Sequence, residues 1–282
     1  MSGANQQAQG DRERLPGAGE GEVMSGHPAY GELRTVTGTA SVVLEDNPGS
    51  MTLEGTNTWL LRAPGSSACV VVDPGYEDEP HLTRVAEAAG EVALILVTHH
   101  HPDHLQGAPW FARRAGAPIR TFDPAHCVGA PALVDDEVID VDGLSIRVMH
   151  TPGHTDDSIC LAVDGALLTG DTVLGRGTTV ISDLGAYLGT LRRLITVPGG
   201  TIALPGHGPE LPDIAATARE YLGHREARLD QVREALRELG PGASPRQVVE
   251  HVYRDVDESL WGPAEWSVRA QLDYLATTDE VF

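Results

Sequence analysis

The chain has 282 residues, 41% of them hydrophobic, and a formal net charge of −21. That apolar content supports a sizeable core and excludes a wholly disordered protein, and the length permits one large domain or one plus a small one. The acidic balance, with 20 basic residues that are all Arg, repels phosphate backbones at long range and disfavours nucleic acid as a partner.

Residues 1–32 are rich in Gly, Gln, Glu and Ala and predict a disordered tail, because they hold too little apolar surface to offset chain entropy. From Leu33 short β-rich runs alternate with turns. Strands are expected at Val42–Leu44, Thr58–Leu61, Cys69–Val72 and Ala93–Val97, then a helix over Gln106–Ala115. Further strands are expected at Ile119–Thr121, Glu137–Val141, Leu144–His150, Ser158–Val163, Ala166–Thr169 and Thr201–Leu204. An apolar stripe at Tyr187, Leu188, Leu191 and Ile195 predicts a helix between the last two. This mixture indicates a layered α/β sandwich over residues 33–217.

After Pro212 apolar residues recur at near-helical spacing as far as Gly240. Ser244-Pro245 marks the start of a second helix, Ser as N-cap and Pro in the first turn. A third helix begins near Pro263, with Trp266, Val268, Leu272 and Leu275 read as core contacts. Residues 218–282 are therefore expected to form a small helical, winged-helix-like module with little room for a wing.

Cys69, Cys127 and Cys160 are widely spaced and contain no C-x-x-C pair, which fits reduced thiols of a cytoplasmic protein. No run is long and apolar enough to span a membrane, so no membrane partner is expected, and no secretory signal is visible.

The chemistry concentrates in Thr98-His99-His100-His101-Pro102-Asp103-His104, directly after an apolar strand. Imidazoles and a carboxylate at the spacing H-x-H-x-D-H are a chelating set of the kind zinc prefers. If the segment is extended, His100 faces away from His99 and His101, because alternate side chains oppose each other. Four other motifs place a ligand-type residue at a strand end: Asp73 after Val70–Val72, His154 in Thr151-Pro152-Gly153-His154, Asp171 in Thr169-Gly170-Asp171 and His207 in Pro205-Gly206-His207-Gly208. Sharp turns of this kind let several loops converge on one edge of a sandwich. His27, His81, His126, His150, His224 and His251 read as surface or core histidines, with His150 also a candidate to support the turn at His154.

In order and type, these motifs resemble the metallo-β-lactamase superfamily. The resemblance implies a four-layer αββα sandwich carrying two Zn²⁺ per chain, with Fe or Mn as alternatives. It assigns His99, His101 and His154 to one metal, Asp103, His104 and His207 to the other, and Asp171 to both as a bridge. Asp73 is expected to support the ligands by hydrogen bonds rather than touch metal. The implied activity is hydrolysis by a metal-bridging hydroxide, with Asp103 orienting it and Asp171 sharing its proton as the catalytic carboxylates.

Two longer stretches are similar to the β-lactamase-like protein 2 family. One is Asn47-Pro48-Gly49-Ser50-Met51-Thr52-Leu53-Glu54-Gly55-Thr56-Asn57-Thr58-Trp59-Leu60, and the other runs from Gly170 to Val180. The layout is also glyoxalase II-like, although the basic cluster expected to hold glutathione carboxylates is not visible. That family contains single-strand endoribonucleases and thioesterases acting on acyl carriers. The charge and the 5% aromatic content, which leaves few base-stacking platforms, favour an acyl thioester or small ester as substrate, either free or on a carrier. Two alternatives stand beside it: single-strand endoribonuclease, and a mononuclear iron persulfide dioxygenase on the same fold. For the second, the Arg-rich motif after the bridging aspartate is reduced to Arg176.

Overall fold

Side-chain alternation sets the layering in the computed structural model, which describes residues 29–258 and 261–278. Along β4 (Ala68–Val72), Val70 and Val72 enter one apolar cluster while Cys69 and Val71 enter another. Along β10 (Ala166–Gly170), Ala166 and Leu168 join the first of these clusters and Leu167 joins a third. Successive strand residues point to opposite faces, so each sheet is buried on both sides.

The first sheet has six strands in the order β1 (Leu33–Thr35), β2 (Ala40–Leu44), β3 (Asn57–Leu61), β4, β5 (Glu91–Leu96) and β6 (Ile119–Arg120). The second has five, in the order β11 (Ile202–Pro205), β10, β9 (Ile159–Val163), β8 (Leu144–His150) and β7 (Val138–Val141). Both are mixed: β4–β5, β5–β6 and β10–β11 are parallel, and the remaining neighbours are antiparallel. Trp59, Leu61, Leu94 and Leu96 of the first sheet meet Ile146, Val148, Ile159 and Leu161 of the second in the central core.

Helices cover both outer faces, completing the αββα order. α1 (Glu79–Ala89) and α3 (Ala108–Ala115) pack on the first sheet through Leu82, Val85 and Phe111. α4 (Leu184–Ile195), α5 (Ile214–Leu239), α6 (Pro245–Val252) and α7 (Trp261–Thr277) enclose the third core, with Tyr187, Leu191, Leu229, Val232, Val248 and Val268 at its centre. Asp183 and Asp213 cap α4 and α5 by accepting from Ala186 N and Ala216 N. Ser244 and Gln247 form a reciprocal capping box at α6, with Pro245 in the first turn.

Several elements depart from the sequence reading. The helix expected over Gln106–Ala115 starts at Ala108 as α3, and a short α2 (Pro102–Leu105) that was not expected precedes it, the two parted at Gln106 and Gly107. A Cβ at Gly107 would lie 2.7 Å from Leu82 and 2.9 Å from the Tyr76 carbonyl, so the break lets two segments approach closely. α1 was not anticipated, although Asp78 caps it, Pro80 lies in its first turn and Gly90 follows its end. α4 begins at Leu184, three residues before the expected stripe. α5 runs unbroken through positions 217 and 218.

In α7, Val268 and Leu275 are buried as expected, whereas Trp266 is 58% exposed. Two residues turn an α-helix by about 200°, so Trp266 and Val268 cannot share a face. Of the tail expected over 1–32, residues 1–28 lie outside the described residues, as does His27. Tyr30 and Gly31 are tied down, Tyr30 Oη donating to Glu54 O and Gly31 N to Leu44 O, both at 2.9 Å. No helix among the described residues is long and apolar enough to cross a membrane.

Candidate metal centre

Loops leaving the strand ends of both sheets converge on seven side chains. β5 delivers His99 and His101, α2 carries Asp103 and His104, the β8–β9 turn carries His154, and the ends of β10 and β11 carry Asp171 and His207. They form two groups of mutually close donor atoms, His99/His101/His154/Asp171 and Asp103/His104/His207. All seven positions singled out in the sequence therefore come together.

In the first group, His101 Nδ1 lies 3.0 Å from both His99 Nε2 and His154 Nε2. In the second, His207 Nε2 lies 3.2 Å from Asp103 Oδ2 and 3.4 Å from His104 Nε2. Asp171 stands between them. Its Oδ2 is 3.7 Å from His154 Nε2, and its Oδ1 is 3.4 Å from the Nε2 atoms of both His104 and His207.

The imidazole tautomers follow from partners outside the cluster. His154 Nδ1 donates to Val180 O at 2.6 Å and His207 Nδ1 to Gly55 O at 3.1 Å, since a carbonyl only accepts. His104 Nδ1 donates to Asp73 Oδ2 at 2.9 Å. His99 Nδ1 donates to Thr98 Oγ1 at 3.1 Å, and that hydroxyl donates onward to Asp73 Oδ2 at 2.7 Å. Each of these four rings thus turns Nε2 inward, and His99 and His154, which burial keeps neutral, present it as a lone pair, the state a divalent metal requires.

Asp73 is the hub of this support. It also accepts from Thr98 N at 2.7 Å, and its backbone adopts φ +53. Asp tolerates that left-handed conformation better than most residues. Gly206 is the closest backbone approach: a Cβ there would lie 2.7 Å from both Asp171 Oδ1 and His104 Cε1.

The electrostatics divide along the same line. Burial drives the pKa of His99 well below its usual value, and His104 and His154 add to the effect. Burial, reinforced by His154, takes His101 to about 4, and burial also lowers His154. At the second group burial opposes charge on His104, but Asp73 and Asp171 outweigh it and hold its pKa well above normal. Burial is likewise outweighed at His207 by Asp171 and Asp103, giving about 9. Burial would raise Asp171, but His207 and His104 hold it well below the usual carboxylate range.

These residues fit metal cations. Asp171 Oδ1 is a buried oxygen that makes no hydrogen bond, with the His104 and His207 Nε2 atoms each 3.4 Å away, a costly state for a carboxylate unless a cation faces it, either those two rings protonated or a metal ion. The carboxylates draw positive charge to the second group, where a cation would stand in place of the protons on His104 and His207. In the first group, bare Nε2 atoms crowd His101 Nδ1, which has at most one proton to share between them.

His100 belongs to neither donor group: its Nδ1 lies 2.7 Å from Asp157 Oδ1, and its ring meets that of His101 edge-on at 5.3 Å. His150 is not brought to the centre: its ring stacks on Phe122 at 3.9 Å and its Nε2 donates to Asp156 O. His81 is buried against Thr58 Oγ1 at 3.0 Å, and burial lowers its pKa to about 4. Sequence reasoning missed the carbonyls of Val180 and Gly55 and gave the buried Arg225 no role at the site. The Arg225 guanidinium donates to Thr179 O, beside His154. Backbone acceptors leave no residue-type signature, but an Arg inside an apolar helical stripe is a signal that could have been read.

The family model of the metallo-beta-lactamase superfamily matches residues 51–207, and that of the beta-lactamase associated winged helix domain matches 244–282. The chain is 33% identical to the Beta-lactamase-like protein 2 homolog of Drosophila melanogaster, covering 84% of this chain and 88% of that one. It is also 33% identical to the atrochrysone carboxyl ACP thioesterase of Aspergillus chevalieri, covering 83% and 79%. Its fold superposes on a beta-lactamase domain protein from Burkholderia ambifaria with a TM-score of 0.78 at 23% identity, covering 92% of each chain.

Proposed function

Because this chain belongs to the metallo-β-lactamase superfamily, we propose that it is a hydrolase with two zinc ions that cleaves an acyl thioester, the acyl group being borne by a carrier or a small thiol. One observation carries the two-metal reading: the two oxygens of Asp171 point to different donor groups, Oδ2 to that of His154 and Oδ1 to that of His104 and His207. His99, His101 and His154 would hold one ion, Asp103, His104 and His207 the other, and Asp171 both. The thioesterase relative from Aspergillus chevalieri supports the thioester class, and the net charge of −21 disfavours RNA.

Divalent cations, when bound, supply Lewis acidity towards a carbonyl and make water a stronger acid. The protein's own groups do the rest. The four Nδ1–H donors fix ring orientation, so no reorganisation is needed when charge develops. The Asp103 and Asp171 carboxylates would hold a water and share its proton. In the overall reaction, water oxygen bonds to the acyl carbon and the C–S bond breaks. Of the two water protons one leaves on the thiol and the other passes to solvent, and the acid leaves as its carboxylate.

The test is a substrate panel on zinc-loaded protein with metal content measured in parallel. It compares acyl thioesters, lactoylglutathione, lactones and single-stranded RNA. Thioester turnover abolished by chelation, with two zincs per chain, is expected. RNA cleavage without thioester turnover, or a single iron with oxygen consumption, overturns the proposal.

A further inference from the structure

A pocket of about 300 Å3 opens beside the first donor group, lined by His101, His154, Val180, Ile181, Met51 and Trp266. Apart from the two imidazoles these are apolar, and Ser182, Arg269, Ala270 and Asp273 complete the lining. Val180 serves twice, because its carbonyl also accepts from His154 Nδ1. The outer walls are Met51, 45% exposed, and Trp266, 58% exposed. Large apolar side chains held open to water around one cavity mark a binding surface.

The α7 wall is one helical face, Trp266, Arg269, Ala270 and Asp273, at the i, i+3, i+4, i+7 spacing. Its charges do not select an anion: Arg269 pairs with Glu265 at 3.3 Å, and Asp273 adds a second carboxylate to the rim. The volume sits at the low end of the range of about 300–1,000 Å3 for small-ligand pockets. It holds one compact group rather than a run of nucleotides or peptide.

We infer that this pocket, walled by Met51 and Trp266, binds the acyl portion of the substrate, and that this portion is uncharged, apolar and larger than acetyl. The inference rests on the thioester reading above and adds the acyl class and the residues that select it. An acyl chain seated here has its carbonyl end against His101 and His154 and its apolar end between the two walls. Trp266 contributes a flat face that suits aromatic or branched chains.

The experiment measures kcat/KM on zinc-loaded protein for acetyl, butyryl, hexanoyl and benzoyl thioesters of N-acetylcysteamine. Each methylene buried is worth about fourfold. A rise of at least about thirtyfold from acetyl to hexanoyl is therefore expected, carried mainly by KM. Trp266→Ala should shrink the hexanoyl-to-acetyl ratio about tenfold, Trp266→Phe should retain most of it, and Met51→Ala should shrink it independently. Hexanoate should also inhibit more tightly than acetate in the parent and not in Trp266→Ala. A flat series, or a Trp266→Ala variant that slows every thioester by one common factor, overturns the acyl pocket while leaving the hydrolase intact. Failure to turn over any thioester overturns both.

Discussion

Asp73 Oδ2 lies 2.9 Å from His104 Nδ1, and both side chains are withdrawn almost entirely from solvent. The same oxygen accepts from Thr98 Oγ1, whose hydroxyl in turn receives His99 Nδ1. One carboxylate therefore sets the ring orientation of a histidine in each donor group. It contributes no atom to either.

Replacing Asp73 with Asn tests that hub, because Asn tolerates the φ of +53 at this position while removing the charge. Metal affinity is expected to fall about 10–100-fold, the usual cost of losing a group that orients a ligand. Competition with a chromogenic chelator measures it. An unchanged affinity with weakened folding would assign Asp73 to the fold alone.

Removing a ligand should be more severe. His99→Ala and Asp103→Ala are each expected to lower thioester hydrolysis at least about a hundredfold, beyond the usual cost of disturbing a supporting group. Dialysis against a chelator should do the same to the parent, with zinc restoring activity. Metal content should drop from two ions towards one in each variant. Near-parental turnover in either would refute the assignment.

The centre was legible because its residue types are rare in combination. His99, His101, Asp103 and His104 fall within six positions, and the turns at His154, Asp171 and His207 repeat one arrangement of strand, tight turn and ligand. What positions them was much less so. Val180 O and Gly55 O hold His154 and His207, and any residue could supply a carbonyl. The layered architecture could be read from the mixture of short strands and helices, yet α1 escaped although Leu82, Val85 and Ala89 form a buried stripe between Asp78 and Gly90. Trp266 was taken for core because it is apolar, although its spacing already sets it about 200° around the helix from Val268.

His81 gives the chain a specific acid sensitivity. Burial takes its pKa to about 4, below the value of about 6.5 in an unfolded chain. The unfolded state then binds the proton more readily, so stability is full above about 6.5 and is lost as pH falls towards 4. His81→Gln keeps a hydrogen-bonding group near Thr58 Oγ1 without the titration. In metal-free protein, urea denaturation of the parent should lose about 2–3 kcal/mol more than the variant between pH 7.5 and 4.5. Parallel pH curves would show that His81 is not the group responsible.

Arg225 links α5 to the centre by a longer route. It is 4% exposed, its guanidinium donates to Thr179 O, and its Nε has no partner. Thr179 Oγ1 lies 3.1 Å from His154 Nδ1, and the next carbonyl, Val180 O, accepts from that ring. A charge-assisted hydrogen bond contributes about 1.5–3 kcal/mol, and an unsatisfied buried donor costs about 1–3 kcal/mol. These nearly cancel, so Arg225→Met, which fills similar space without a charge, should change the stability of metal-free protein by no more than about 1 kcal/mol. It should still loosen residues 179–182, and with them His154 and the wall of the acyl pocket. Zinc affinity is therefore expected to drop about tenfold while the urea midpoint of the metal-free protein hardly moves. A large fall in that midpoint with unchanged zinc affinity would make Arg225 a packing residue instead.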